Sequence, residues 1–357
     1  MKSLRHLIAA LALTGAACIT TSLTSAPPDQ TDCGEDKVYG IAFYNLENLF
    51  DTINQSGKFD LEFTPGGSRA WDTEKYRAKL QKLATAIHAM SDERTPSGPA
   101  IIGISEVENE SVVRDLVNTP PLSERALKYV HHDSPDSRGI DVALLYDPNE
   151  FEVTEVLNAP LTTVDFATRD QMAVTGVLGD DTLTVIVNHW PSRLGGEDES
   201  RPNRIKAAEL SKQIAGKYWK ERPRQHVIIM GDLNDDPSSY SVAVTLAAAA
   251  NPDNVKNHSF YNPWWDIWDE DTCGTLSYRG KWNLFDQILV SGTLIDNKKG
   301  VATGNLRYDS ARINDFEFLK NPPDSRYAGT PLRTHASGKW LDGYSDHFPT
   351  EIFLIRK

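Results

Sequence analysis

Polar residues interrupt this chain at short, regular distances, and the stretches between them are apolar. "VYGIAFYN" (38–45), "AIIGIS" (100–105), "GIDVALLY" (139–146), "LTVIVNHW" (183–190), "HVIIMG" (226–231), "FDQILVS" (285–291) and "TEIFLI" (350–355) are each too short for a typical helix and rich in β-branched and aromatic residues, which predicts strands. Two longer stretches follow the helical period instead. In "DTEKYRAKLQKLATAIHAM" the residues Tyr76, Leu80, Leu83 and Ile87 share one face, with Asp72 or Thr73 as the N-cap; in "RPNRIKAAELSKQIAGKYWK" the face is Ala207, Leu210, Ile214 and Tyr218. "NESVVRDLV" predicts a shorter helix. Strands and helices mixed without strict alternation predict an α/β sandwich of sheets covered by helices.

The apolar runs close on a restricted set of residues. The first leads into Asn45 and Glu47, the second into Glu106, and the fourth into His189, with Ser192 and Arg193 just beyond. The fifth ends in "GDLND", carrying Asp232 and Asn234; Asp286 opens the sixth, and Asp346 with His347 precedes the last. A single polar residue at a strand end is ordinary, because strand ends are exposed. Carboxylates, amides and imidazoles delivered together to the ends of several strands would form a phosphate and metal site if the sheets bring those ends together. The oxygen donors Asn45, Glu106 and Asp346 suit a hard divalent cation. Zinc spacings, serine-nucleophile motifs and glycine-rich phosphate loops are absent from the sequence.

With those residues in hand, the sequence resembles the endonuclease/exonuclease/phosphatase superfamily, which includes deoxyribonuclease I, apurinic endonucleases, bacterial sphingomyelinases and inositol-polyphosphate phosphatases. "FYNLENLFD", "GISEVEN", "SRGIDVALLY", "VNHWPSR", "GDLND", "FDQILVS" and "YSDHFP" stand in that family's order and span nearly the whole chain beyond its first residues. The resemblance implies a four-layer α/β sandwich, two facing mixed β-sheets flanked by helices. It implies Mg2+ as the cofactor, with Mn2+ or Ca2+ as substitutes, held by Glu106 with Asn45 and Asp346. It also implies that Asp232 orients or deprotonates the attacking water, that Asn234 and His189 donate to the scissile phosphate, and that His347 pairs with Asp286. Since neighbouring strand residues point to opposite faces, Asp346 and His347 serve one site only from the loop before the strand, between Gly343 and Pro349.

Other residues have two readings each. Glu47 is a metal ligand or a residue supporting one, and Glu108 is an alternative to Glu106. Arg138 and Arg193 either clamp the substrate phosphate or form ion pairs. Trp264, Trp265 and Trp268 in "NPWWDIWDED" stack on substrate or pack the fold, and "RLGGEDESRPNR" reads as a mobile loop beside the site.

Composition adds the setting. At 39% hydrophobic and 24% charged the chain is an ordinary globular protein, and a net charge of −13 excludes a grip on nucleic acid by the surface as a whole. Lys2 and Arg5 precede "LIAALALTGAACI", a basic start and an apolar core too short to span a bilayer, which predicts a signal peptide over 1–17. Either Cys18 becomes a lipidated N-terminus or cleavage follows Ala16 or Ala17. A flexible leader over 18–36 then leads into one domain over 37–357. Cys33 and Cys273 are a disulfide or two free thiols. The expectation is an exported, monomeric, metal-dependent phosphodiesterase — periplasmic, on the outer membrane or extracellular — with nucleic acid as substrate. The alternatives are a sphingomyelinase-like or small-molecule phosphodiesterase or phosphatase, and an inactive phosphate-binding module.

Overall fold

The computed structural model describes residues 36–55, 58–162, 166–297, 300 and 302–357. Residues 1–17, read from the sequence as a signal peptide, and Cys18 and Cys33 lie outside these residues, so neither lipidation nor the Cys33–Cys273 pairing is described. Two six-stranded sheets carry the architecture. In chain order their strands are β1 (Lys37–Leu49), β2 (Ile101–Val107), β3 (Lys128–His131), β4 (Asp141–Tyr146), β5 (Phe151–Ala159), β6 (Gln171–Leu178), β7 (Asp181–His189), β8 (His226–Asp232), β9 (Phe260–Tyr261), β10 (Asp286–Ser291), β11 (Leu306–Ile313) and β12 (Thr350–Arg356). The first sheet has the order β11-β12-β1-β2-β4-β3 and the second β5-β6-β7-β8-β10-β9.

Each sheet is mixed in the same way. One parallel pair sits at its centre, β1 with β2 and β7 with β8, and the other pairings are antiparallel. The three predicted helices are present as α1 (Thr73–His88), α2 (Glu110–Val117) and α3 (Glu197–Glu221), and Asp72 and Asn109 cap the first two.

Three apolar clusters fill the spaces between four layers. Alternate residues of the central strands meet between the sheets: Ile41, Phe43, Ile101 and Leu144 from one, and Val185, Val187, Ile228, Met230 and Ile288 from the other. The opposite faces pack under α1 and α2 (Tyr44, Ile102, Ile104, Leu83, Ile87) and under α3 (Ile186, Ile229, Ala207, Tyr218). The sheets pack tightly at Gly103, where an added Cβ would lie 2.4 Å from Met230 Sδ and 3.1 Å from the Phe43 ring. Trp264 is fully buried and donates from Nε1 to Ile288 O at 3.1 Å, so the packing reading holds for it.

The segment after His189 differs from the mobile loop expected. Gly195 and Gly196 adopt positive φ, and α3 starts immediately at Glu197. Glu197, Asp198 and Glu199 complement the N-terminal end of the helix dipole. Arg204, fully buried, ties this turn down through Ser200, the Glu197 carbonyl and Asp235 (Nε to Oδ1 2.7 Å).

Candidate active site

The sheet pattern decides where the polar strand ends fall. The C-terminal ends of a parallel pair lie at one edge, and the N-terminal ends of antiparallel neighbours lie at the same edge. Asn45 and Glu106 close β1 and β2, His189 and Asp232 close β7 and β8 in direct register, and Asp286 opens β10 opposite Asp232. Asp346 and His347 stand just before β12 in the loop position that serves both.

Local backbone geometry then aims the side chains. β1 and β2 shift register between Asn45 and Leu49 and between Ser105 and Val107, and Glu47, Asn48 and Glu106 lie at φ 48°, 55° and 60°. Such bulged, left-handed positions in non-glycine residues are costly and occur where a side chain must be re-aimed. Asn45 turns toward Asp232, and Glu47, two residues on, toward Arg333 and Thr334. On β8, Gly231 lets the strand lie close against the β7 backbone. At its φ of 153° a Cβ would stand 2.2 Å from Asn188 O.

Asp232 sits at the centre. Its Oδ2 accepts from Asn45 Nδ2 at 3.0 Å and its Oδ1 from the Asn234 N–H at 2.9 Å. His189 Nε2 lies 3.6 Å away and His347 Nε2 4.0 Å away. Burial, with the nearby Asp286 charge, raises the Asp232 carboxyl to about 7 against the pull of His347. Asn234, at φ 51°, donates from Nδ2 to Trp190 O at 2.9 Å, so its loop is locked to the end of β7 rather than extended.

The two imidazoles are driven to opposite protonation states. Burial, with Arg169, Arg138 and His347, holds the His189 pKa well below the usual value. Burial also acts on His347, but Asp286 outweighs it through its charge and a 2.6 Å hydrogen bond to Nδ1, and the His347 pKa stands well above the usual value. His189 Nδ1 is buried with no partner. Nε2 is the nitrogen that faces Asp232 and Glu106.

Glu106 accepts at Oε2 from the Asn48 N–H at 2.9 Å, and its Oε1 is 3.9 Å from His189. Arg138 lies beside it, 3.9 Å from Oε2, and donates to Asn48 Oδ1 at 2.6 Å. Asp346 Oδ2 accepts from Arg333 at 2.8 Å. Arg193 takes the ion-pair arrangement, contacting Glu197, Asp235 and Asp236 and donating to Asn234 O at 3.0 Å.

Buried or half-buried carboxylates thus outnumber the cations among them. Glu47 is raised to about 7, by burial and then by Asp346, and Glu108 to about 8, mainly by burial. Asp286 Oδ1 is buried with no partner among the described residues. An all-oxygen donor set carrying surplus negative charge fits a hard divalent cation, which Asn45, Glu106 and Asp346 would hold. Asp232, Asp286 and His347 also cluster with ligand atoms within 4.8 Å of one another, but hydrogen bonds already account for much of that contact.

Three supporting residues escaped the sequence. Arg169, buried, donates to the carbonyls of His189 (3.2 Å) and Trp190 (2.8 Å) and pairs with Asp136. Lys79, buried on α1, donates to Tyr344 O at 2.5 Å and to the Thr334 hydroxyl. Arg333 joins Glu47 to Asp346. Only Lys79 left a signal: it falls on the core face of α1, between Tyr76 and Leu83, where a lysine needs a reason.

The model for the Endonuclease/Exonuclease/phosphatase family matches residues 40–356. The chain belongs to that family. It is accordingly a metal-dependent hydrolase of phosphoester bonds, and the two mixed sheets with outer helices are this family's sandwich. A search among curated proteins gives no match. Solved structures do match. A humanized D. rerio TDP2 aligns with TM-score 0.54 and 14% identity, over 89% of this chain and 99% of that one. D. rerio TDP2 in complex with a single-strand DNA product aligns with TM-score 0.52 and 14% identity, over 89% and 99%. A mannosyl-6-phosphatase from Bacteroides thetaiotaomicron aligns with TM-score 0.51 and 14% identity, over 88% and 99%. At this identity the likeness is one of fold.

Proposed function

We propose that this family member is a magnesium-dependent nuclease that hydrolyses nucleic-acid phosphodiester bonds by attack of an activated water, and that it acts outside the cytoplasm. The observation that supports a chain substrate is a pair of open clefts on either side of the Ser192–Gly196 segment. One, of about 500 Å3, runs along Arg138, Phe166, Arg169 and Asn203. The other, of about 650 Å3, runs along Tyr278, Arg279 and Phe285. A diester needs room for polymer on both sides of the scissile phosphate, and each cleft offers arginine and an aromatic ring. Phe166 and Tyr278 are 44% and 62% exposed. Local arginines supply what the acidic surface as a whole does not.

The side chains divide the chemistry. Asp232, held by Asn45 and the Asn234 N–H, orients a water and accepts its proton; a carboxyl near 7 is suited to that task. His189 Nε2–H lies too far from Asp232 and Glu106 for a hydrogen bond and is free to donate to a non-bridging phosphoryl oxygen. His347, kept as imidazolium by Asp286, stabilises the charge that develops and can protonate the leaving oxygen. The divalent cation, when bound at Asn45, Glu106 and Asp346, supplies further charge neutralisation at the phosphate.

The test is a substrate panel: single- and double-stranded DNA, RNA, bis-p-nitrophenyl phosphate, sphingomyelin and hexose 6-phosphates, each with Mg2+. Cleavage of a nucleic acid with the highest kcat/KM is expected. Turnover confined to phosphomonoesters or to sphingomyelin would overturn the nuclease reading and leave the phosphoester hydrolase standing.

A further inference from the structure

We infer that Arg333 is a substrate-binding residue, whose guanidinium takes non-bridging oxygens of the substrate phosphate on the side of the site opposite Arg138. This rests on the phosphoester chemistry of the family and not on the choice of nucleic acid as substrate.

The residues around Arg333 are fixed while its head group is open. Residues 335–340 form a small hairpin, His335–Ala336 against Lys339–Trp340, packed on Trp71 with ring centroids 5.6 Å from both His335 and Trp340. Thr334 donates from its N–H to Glu47 Oε2 at 2.5 Å and accepts at its hydroxyl from buried Lys79, which also holds Tyr344 O. The backbone of Arg333 therefore cannot swing away. Its side chain is nevertheless 47% exposed.

The bonds Arg333 makes use only one edge of its guanidinium. Nε donates to Glu47 Oε1 at 3.3 Å and Nη2 to Asp346 Oδ2 at 2.8 Å, and these two nitrogens form the side edge. Nη1 has no partner among the described residues, so the end-on fork of Nη1 and Nη2 remains for a second planar acceptor. That fork matches a phosphate in a two-point hydrogen bond. A residue present only to balance Glu47 and Asp346 would duplicate Lys79, a buried cation whose charge already acts on both. Arg138, also 47% exposed, stands beside Glu106. Arg138 thus stands against Glu106 and Arg333 against Glu47 and Asp346, carboxylates that would otherwise repel a phosphate.

The experiment compares Arg333→Gln with wild type on bis-p-nitrophenyl phosphate and p-nitrophenyl phosphate at saturating Mg2+, with inorganic phosphate as competitive inhibitor. Arg326→Gln, an exposed arginine in the same connection, controls for net charge. Loss of one two-point, charge-assisted contact should raise KM and the phosphate Ki together by about 10- to 100-fold, with kcat changed less than about threefold. The control variant should leave all three unchanged. A fall in kcat with KM and Ki unmoved would show that Arg333 only positions Asp346, and would overturn the proposal. Phosphate stabilisation in thermal melts gives a readout that needs no turnover. If wild type is stabilised by phosphate and Arg333→Gln equally so, the proposal fails, whatever substrate the enzyme prefers.

Discussion

Replacing Asp286 by Asn isolates what the carboxylate does for His347. Asp286 is completely buried, its Oδ2 accepts from His347 Nδ1 at 2.6 Å, and its Oδ1 has no other partner. The substitution keeps size and shape, removes the charge, and leaves an amide that can accept from Nδ1 only in one orientation. A buried hydrogen bond between charged groups contributes about 1.5–3 kcal/mol, which corresponds to roughly 10- to 150-fold in rate if that energy serves the imidazolium in the transition state. The sign of the pH effect follows from the causes of the His347 shift. Burial alone depresses its pKa, and Asp286 is the main influence that reverses this. Without Asp286, His347 loses its proton at lower pH, so the basic limb of the rate profile moves to lower pH. His347→Ala should cost about 10²- to 10⁴-fold, and the double variant little more, because Asp286 acts through His347. The assay is hydrolysis of bis-p-nitrophenyl phosphate from pH 6 to 10 at saturating Mg2+, after circular dichroism has shown each variant folded. Multiplicative losses in the double variant, or a basic limb that does not move, would refute the coupling.

Stripping with EDTA should abolish activity and Mg2+ or Mn2+ should restore it; full activity in EDTA, or rescue by zinc alone, would contradict an oxygen-ligand site. Lys79→Met leaves the Thr334 hydroxyl, Tyr344 O and Glu47 without their buried cation, and chemical denaturation should show a loss of about 3–5 kcal/mol; an unchanged midpoint would mean that Lys79 does not hold the 333–346 segment. Gly103→Ala forces a methyl between the sheets at Met230, Phe43 and Val187 and should destabilise by about 1–3 kcal/mol in thermal melts, with kcat intact if the variant stays folded.

The central strands were legible because they are buried on both faces, and uninterrupted apolar runs such as "HVIIMG" leave little choice. The strands that escaped are mostly at or near the sheet edges. β11, "LRYDSARI", is half-exposed through most of its length, and β5, "FEVTEVLNA", buries only Phe151 and carries Glu152 and Glu155 three positions apart, so their pattern competes with loop and helix. Among site residues, those at strand ends could be read because a strand terminus has a position in the pattern. Arg333 could not, since it belongs to a hairpin segment whose placement depends on Trp71, Thr334 and Lys79 far away in sequence. Arg193 illustrates the opposite error source: its type suits a phosphate, but Asp235 and Asp236, two and three residues beyond Leu233, occupy it.

The two sheets also explain why one edge of the molecule could collect this chemistry. Each has its single parallel pair at the centre, so each offers two adjacent C-terminal strand ends, and the facing sheets bring all four ends to one rim. β10 and β12 run antiparallel to those pairs and add their N-terminal ends at the same rim. Asp232, at the end of β8, meets three of the other strands directly or across a short gap: β1 through Asn45, β7 through His189, and β12 through His347 on its approach. A carboxylate in that position meets both sheets, which is why burial there raises its pKa and why no substitution at the neighbouring strand ends can leave it unaffected. The opposite protonation of His189 and His347 follows from the same placement. His189 lies among arginines at the end of β7, whereas His347 lies against a carboxylate that the antiparallel register of β8 and β10 sets beside Asp232. The fold thus supplies a hydrogen-bond donor that stays neutral and one that stays charged within about 4 Å of the same carboxylate, a division that acid–base hydrolysis of a phosphoester requires.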